Sequence, residues 1–238
     1  MQGTTLVNKI SGLYASEQLA LLSTGQDSLQ ALSGMANKQP VSSLLVSVER
    51  ALGDAQADPK HHGGPDRVLH HFPREHYGQY RRWDLMQRFK DAPAMGENIS
   101  TVGLDETQVH IGDIIGIGDV VLQVTQPRSP CFKLNLQFGH SDFALAMQQS
   151  RMCGWFYRVL TPGTIHADDS IVLLERRTDM SVSQAMEVYF LTEFDAQAYE
   201  RLAATEGLAQ TWVNSLHRRI EHQKIEPWQM RLTGKMDV

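Results

Sequence analysis

One cysteine of this sequence stands in a setting suited to chemistry. Cys131 lies in the segment Gln126-Pro-Arg-Ser-Pro-Cys-Phe-Lys133, which directly follows a predicted strand. The two prolines restrict the backbone that presents the thiol, and Arg128 and Lys133 favour the thiolate if their side chains point towards it. A thiolate on such a loop serves as a nucleophile, a sulfur carrier or a soft metal ligand. The pattern predicts that Cys131 is the centre of a site, whereas Cys153, on a predicted apolar helix, is expected in the core.

A second segment offers groups that bind anions. Lys60-His-His-Gly-Gly-Pro-Asp-Arg67 contains adjacent glycines, whose backbone can approach a ligand closely and whose N–H groups can surround an anion. Lys60, His62 and Arg67 add donors suited to a phosphate or a polar heterocycle. The stretch from Lys60 to Lys90 holds seven Lys or Arg residues against three acidic ones. It is either an anion-binding region or a solvated basic surface.

A third motif, Gly96-Glu-Asn-Ile99, contains Asn98, whose amide can hydrogen-bond a ligand or order its own turn. The sequence has no phosphate-binding P-loop, no dinucleotide-binding glycine fingerprint, no HExxH motif and no GxSxG elbow. The functional argument therefore depends on these three segments.

Composition narrows the class of protein that must position these residues. The 238 residues carry 22 basic and 27 acidic side chains, a formal charge of −5, and 42% are apolar. These values are typical of a globular chain with one large domain and a small appendage, and the acidic balance argues against generic nucleic-acid binding. Two cysteines are too few for a disulfide framework, and no apolar run approaches the roughly 20 residues of a membrane span. We expect a soluble, cytoplasmic protein.

The hydrophobic pattern predicts an α+β fold. Two Gly-Asp turns between short β-branched runs favour a mainly antiparallel β-barrel with peripheral helices. A capping box at Ser181–Gln184 opens a small C-terminal helical extension, so the predicted domains are residues 1–178 and 179–238. The predicted strands are Thr5–Tyr14, Val41–Glu49, Val109–Ile111, Ile114–Ile117, Val120–Thr125, Phe156–Leu160 and Ile171–Glu175. The predicted helices are Arg74–Phe89, Phe143–Cys153, Ala185–Leu191, Asp195–Thr205 and Leu208–Ile225, with Ala15–Gln39 a helix or long excursion and Leu52–Pro73 a long functional loop.

Together the motifs resemble the MOSC family, specifically its YiiM-like branch. The resemblance covers residues 5–178, and the helical tail looks like the three-helix extension of that branch. It is carried by Gly53-Asp54 with Gln56, His62-Gly-Gly-Pro-Asp-Arg67, Pro73-Arg-Glu-His-Tyr77, Gly96-Glu-Asn-Ile99, Gly103-Leu104, Gly112-Asp113-Ile114, Gln126-Pro-Arg-Ser-Pro-Cys131 and Gly154-Trp155-Phe-Tyr-Arg158-Val.

MOSC domains are β-barrel modules associated with the molybdenum cofactor. The resemblance implies that Cys131 is both the catalytic residue and the protein's thiolate ligand to molybdenum, with the molybdopterin supplying the other sulfur ligands. It also implies candidate residues for holding the anionic, phosphate-bearing pterin, namely His62, Gly63, Arg67, Asn98, Arg128 and Arg158.

Similar proteins are linked to the reduction of N-hydroxylated compounds, including base analogues such as N-hydroxylaminopurine. The resemblance therefore implies a molybdenum-dependent reductase of small N-hydroxylated substrates. Because the chain has two cysteines and no flavin fingerprint, we expect electrons from an external reductase, for which the C-terminal helices offer a docking surface or simply a cover for the barrel edge. We expect neither nucleic acid nor membrane as a partner. Two alternatives stay open: a sulfur carrier with a Cys131 persulfide, and a non-catalytic binder of a phosphorylated cofactor such as the pterin or pyridoxal phosphate.

Overall fold

The computed structural model describes residues 7–23, 29–58 and 63–235. Its strands are β1 Val7–Lys9, β2 Gly12–Ala15, β3 Ala20–Ser23, β4 Gln30–Ser33, β5 Gln39–Pro40, β6 Ser43–Val46, β7 Leu69–Pro73, β8 Ile99–Thr101, β9 Ile114–Ile117, β10 Val120–Pro127, β11 Trp155–Thr161, β12 Gly163–His166 and β13 Ser170–Glu175. Its α-helices are α1 Glu75–Arg82, α2 Lys133–Phe138, α3 Phe143–Ser150, α4 Val182–Tyr189, α5 Ala196–Ala203, α6 Gln210–His222 and α7 Gln229–Thr233, and 3₁₀ turns occupy Met35–Asn37 and Pro65–Arg67.

A large sheet organises the fold. In the part of the chain that the structure describes, it has nine strands in the order β1-β13-β9-β10-β11-β7-β8-β2-β5. Neighbouring strands are antiparallel except β7 and β8, which are parallel. The mixed α+β class and the mainly antiparallel pairing are confirmed. The closed barrel is not confirmed, because β1 and β5 lie at opposite ends of this strand order.

The strand that leads to Cys131 is buried for nearly its whole length. Seven of the eight residues of β10 are buried, because helix α4 packs against this strand in addition to its neighbours β9 and β11. The buried residues include the polar Gln123, Thr125 and Gln126, and each of these side chains has a hydrogen-bond partner. Its pairing with β11 shifts register between Val124 and Gln126, and such irregularities redirect side chains next to sites. The chain then leaves the sheet at Pro127, four residues before the cysteine.

The helical extension begins as the sequence predicts. The Ser181 Oγ accepts a hydrogen bond from Gln184 N at 3.1 Å, and Gln184 Oε1 accepts one from Ser181 N at 2.9 Å. This capping box satisfies donors that the first helical turn otherwise leaves unpaired. The apolar residues of α4 to α6 belong to the same buried cluster as the sheet, for example Met186 and Leu216 with Trp155. The division into domains at 178/179 stays a prediction.

Several predicted elements differ from the structure, mostly where contacts are long-range. The described residues of Ala15–Gln39 form no α-helix and only one 3₁₀ turn, Met35–Asn37; β3 pairs with β4, and residues 24–28 lie outside the described chain. The helix predicted over Arg74–Phe89 ends at Arg82, because Asp84 adopts a left-handed conformation with φ 56° and the chain turns back. Val109–Ile111 forms only an isolated bridge. Strands β7, β8 and β12 and helix α2 were not predicted.

None of the helices in the described ranges is long and apolar enough to cross a membrane.

Candidate functional site

A cavity of about 760 Å³ lies between the end of β10 and the C-terminal helices. Its volume falls within the usual range for small-molecule and cofactor sites, about 300–1,000 Å³. Segments far apart in sequence line it: the 3₁₀ turn after β4, the loops 54–58 and 95–98, the segment 126–133, and residues of α4, α6 and 226–231. Cys131, Arg67, Asn98 and Arg128, which the sequence singles out, are therefore brought together on one cavity.

Cys131 is partly exposed and belongs to this lining. Residues on both sides of it are held by one residue of α7. The Arg231 guanidinium donates to Pro130 O, and Phe132 N donates to Arg231 O at 2.8 Å. The Cys131 carbonyl then accepts a hydrogen bond from Leu134 N at 3.0 Å as α2 begins. The thiol is thus presented from a loop fixed before and after it, which suits a ligand or nucleophile.

The other cysteine has a different environment. Cys153 is fully buried in the main apolar cluster, as predicted. Burial raises the pKa of its thiol well above the ordinary value, with the Glu106 carboxylate adding to the effect. Its Sγ lies 3.3 Å from Met147 O. Cys153 is therefore a structural residue. Because it lies outside the cavity lining, its substitution serves as a control for substitution of Cys131.

Arg128 connects the 3₁₀ turn that carries Met35 with the loop 95–98. Its guanidinium is almost entirely buried and donates to Met95 O, and Nη2 lies 3.3 Å from Met35 Sδ. Gly96 makes this approach feasible, because its φ of +80° suits glycine and a Cβ there would lie 2.6 Å from Met35 Cγ. Arg128 thus ties two loops of the lining together and keeps its charge next to the cavity.

Arg67 crosses from the 3₁₀ turn towards the helical extension. Its Nε donates to Gln126 Oε1 at 3.3 Å, and its Nη2 donates to Thr211 Oγ1 at 3.1 Å. Burial lowers the pKa of Arg67, although the Asp66 carboxylate opposes the effect. An arginine remains protonated under such shifts, so Arg67 adds a positive charge to the cavity where β10 meets α6.

Asn98 orders the site through its amide. The side-chain nitrogen donates to Asp54 Oδ2 at 2.9 Å and to Tyr14 O at 3.2 Å, and Oδ1 accepts from His70 N at 3.1 Å. Because an amide nitrogen has two N–H donors, both are already used within the protein. Asn98 therefore ties together segments that are distant in sequence rather than ordering its own turn.

Arg158 and Gly63 are not brought to this lining. Arg158 binds Asp66 Oδ1 through Nε at 2.9 Å and Nη2 at 2.7 Å, and its Nη1 donates to Gln123 Oε1 at 3.1 Å. The second oxygen of Asp66 accepts from Gln210 N at 3.1 Å, at the start of α6. Arg158 therefore supports the turn that carries Arg67. Gly63 is described but lies outside the lining, and His62 lies outside the described residues.

The cavity residues that the sequence did not single out include three with basic side chains: Lys38, His70 and Arg231. Lys38 Nζ forms a buried ion pair with Asp54 Oδ2 at 2.7 Å; burial lowers the pKa of this lysine, and the Asp54 carboxylate opposes that shift. Burial also lowers the pKa of His70 well below its ordinary value, helped by the charges of Arg128 and Lys38, so the ring is neutral. Its Nε2 has no hydrogen-bond partner in the described structure.

Local patterns could hardly have found these residues. Lys38 stands in a segment without a clear period, and Arg231 follows the last predicted helix. His70 is one of five histidines in the basic stretch from Lys60 to Lys90, and its neighbours in sequence do not distinguish it from the other four.

Positive charge dominates the lining. Five of its residues carry a cationic side chain, and three carry a carboxylate: Lys38, Arg67, Arg128, Lys133 and Arg231 against Asp54, Asp58 and Glu226. Within the described ranges, no cluster of three or more His, Cys, Asp or Glu side chains could hold a metal ion. The cavity thus offers one accessible thiol within a set of donors suited to an anionic ligand.

Comparison with known proteins finds the same two parts that the motifs suggest. A model of the "MOSC domain" matches residues 58–172, and a model of the "YiiM-like, 3-alpha helix domain" matches residues 180–223. Protein YiiM of Escherichia coli (strain K12) is 42% identical over 204 residues, covering 85% of this chain and 91% of YiiM. A protein named "Reductase" from Gibberella moniliformis is 36% identical over 146 residues, which are 60% of this chain and 26% of that larger protein.

Solved structures show the same fold. The crystal structure of a hypothetical protein has a TM-score of 0.82 and 35% identity, and the alignment covers 98% of this chain and 97% of that one. The crystal structure of YiiM from Escherichia coli has a TM-score of 0.75 and 39% identity over 82% of this chain and 94% of that one.

Proposed function

Because this chain belongs to the YiiM branch of the MOSC-domain family, we propose that it is a molybdenum-cofactor-dependent reductase of N-hydroxylated compounds. The observation that carries the proposal is the position of Cys131, an accessible thiol on a loop fixed at both sides, in a cavity lined mainly by cationic side chains. The reductase name of one relative supports the general class of reaction.

The donor set of the cavity fits such a cofactor. Molybdopterin carries a phosphate and a dithiolene, so it requires cationic or hydrogen-bond donors and a soft ligand for the metal. Cys131 would provide the protein thiolate, and Arg67, Arg128 and Lys133 would face the anionic part. Lys38 belongs to the same set, although its charge is already shared with Asp54. When bound, the cofactor supplies the two-electron redox chemistry.

The protein's own contribution is position and charge. Reduction of an N–OH group breaks the N–O bond, consumes two electrons and two protons, and releases water and the amine. The cations of the lining offset the negative charge of the cofactor, and the fixed 128–132 loop keeps Cys131 in one place. Because this chain has two cysteines and no flavin fingerprint, we propose that the electrons come from a separate reductase protein.

Metal analysis tests the proposal with a matched pair of cysteine variants. We expect protein from a cofactor-competent host to contain near-stoichiometric molybdenum and to reduce N-hydroxylaminopurine when a reduced viologen dye replaces the natural electron donor. Cys131→Ala should lose both properties. Cys153→Ala, which changes a buried thiol outside the cavity, should keep both.

Two results would contradict the proposal in different ways. Molybdenum and activity that survive in Cys131→Ala would remove this residue from the site. An intact mass increased by one sulfur atom on Cys131, without molybdenum, would instead assign the protein to sulfur transfer.

A further inference from the structure

The two walls of the cavity differ in chemistry. One wall, here called the cationic wall, is formed by the loops beside the sheet. It carries Lys38, Arg67, Arg128 and Lys133. The other, here called the aromatic wall, consists of Tyr189, Trp212, Trp228 and Glu226 and belongs to the C-terminal part of the chain. An anionic group is suited to the first wall, whereas a planar uncharged ring is suited to the second.

Neighbouring side chains hold the aromatic wall rigid. The rings of Tyr189 and Trp212 stack with centroids 3.8 Å apart, and Trp228 meets Phe190 edge-on at 6.1 Å. The Arg219 guanidinium lies over Tyr189 at 4.2 Å and near Trp228 at 5.9 Å. Tyr189 and Trp212 are almost fully buried, while Trp228 is only half-buried. Trp228 therefore provides the indole surface that a ligand can reach.

Glu226 adds a hydrogen-bond acceptor beside this indole. Arg219 binds both carboxylate oxygens, through Nε at 2.7 Å and Nη2 at 2.6 Å, and Trp228 Nε1 lies 3.4 Å from Oε1. Although burial opposes it, Arg219 lowers the pKa of Glu226, so the group is an ionised acceptor. The backbone N–H of Glu226 also bonds this carboxylate. The side chain is nevertheless 45% exposed and lines the cavity, so a ligand donor can reach it.

We propose that the aromatic wall is a subsite for a planar nitrogen heterocycle with a ring N–H donor. The ring packs on the Trp228 indole, and the ring N–H donates to Glu226, so that a substituent elsewhere on the ring is left for the reaction. The subsite rests on the proposed function in one respect: it assigns the heterocycle to the substrate and leaves the cationic wall and Cys131 to the cofactor. The C-terminal helices then belong to the site itself.

Binding of an unreactive ring tests the subsite without a loaded enzyme. We expect adenine to bind the purified protein in a calorimetric titration, and the Kd to rise about tenfold in Trp228→Leu, the usual loss when an aromatic partner of a base is removed. Trp228→Phe keeps a ring and should recover most of the affinity. The control is Trp83→Leu, because Trp83 is 45% exposed and lies outside the cavity lining; it should bind like the wild type. Equal affinity in wild type and Trp228→Leu, or no binding by the wild type, would overturn the subsite.

Kinetics on protein that contains the molybdenum cofactor shows whether the aromatic wall binds the substrate or the cofactor. We expect the KM for N-hydroxylaminopurine to rise about tenfold in Trp228→Leu, while Trp83→Leu keeps the KM of the wild type. If Trp228→Leu instead loses molybdenum and pterin and binds adenine normally, the wall holds the pterin and the substrate assignment is wrong. If adenine binds through Trp228 but the wild type holds no molybdenum and reduces nothing, the proposed function fails and the subsite stands.

Discussion

A buried carboxyl group next to Asn98 makes the stability of this protein depend on pH. Glu97 is completely buried. It accepts hydrogen bonds from Tyr77 OH at 2.9 and 3.1 Å and from Ser100 Oγ at 3.2 Å. Burial raises the pKa of Glu97 to about 7, although these bonds and the charge of Lys38 oppose the shift. The folded protein therefore holds this proton across a pH range in which the unfolded chain releases it.

The sign and size of the effect follow from the two pKa values. Below the unfolded value of 4.5 both states are protonated, and Glu97 adds no pH dependence. Between 4.5 and about 7 only the native state keeps the proton, so the free energy of unfolding falls as pH rises, and above 7 it levels off. At 1.36 kcal/mol per pKa unit, the loss is about 3 kcal/mol in total and about 2–3 kcal/mol between pH 5 and pH 8.

Glu97→Gln isolates this contribution, because an amide does not titrate. Urea unfolding at pH 5, 6, 7 and 8 should show the variant gaining about 2–3 kcal/mol relative to the wild type as pH rises. A constant offset from the changed hydrogen bonds is the same at each pH and cancels. The control is Glu193→Gln, since Glu193 is exposed and its curve should run parallel to that of the wild type. Parallel curves for Glu97→Gln as well would refute the argument that burial holds this proton.

Two further changes test the helical extension. Ser181→Ala removes half of the capping box and should cost about 1 kcal/mol, seen as a fall in Tm of about 2–4 °C. Glu226→Gln takes the anionic partner from Arg219, which is 1% exposed; since Glu226 itself is partly solvated, we expect a loss of about 2 kcal/mol in urea unfolding. Glu187→Gln, which breaks an exposed ion pair, should change stability by less than about 0.5 kcal/mol, and a similar loss in both variants would contradict the importance of burial at Arg219.

Local signals in the sequence predicted the elements with short-range causes. The Gly118-Asp119 turn joins β9 to β10, with Ile117 paired to Val120, as the hairpin pattern indicates. The three predicted helices of the extension lie within a few residues of their predicted bounds, because caps and apolar spacing are properties of neighbouring residues. The short helix α7 was not predicted. Of the two interpretations of Ala15–Gln39, the helix is wrong: the described residues form the short strands β3 and β4, whose alternation, with Leu22 buried and Leu21 exposed, extends over too few residues to be recognised from the sequence.

The features of the candidate site also divide into those with local causes and those that depend on long-range contacts. By itself the sequence predicted that Cys131, which follows two prolines and lies between Arg128 and Lys133, is the centre of a site, and it showed that the chain resembles MOSC proteins. Only the tertiary structure decided what surrounds that thiol. Met35 meets Arg128 across 93 residues, and Arg231 meets Pro130 across 101. No local pattern encodes such contacts, because they arise when packing of the sheet and helices buries these groups and leaves each one only the partners that the fold brings near.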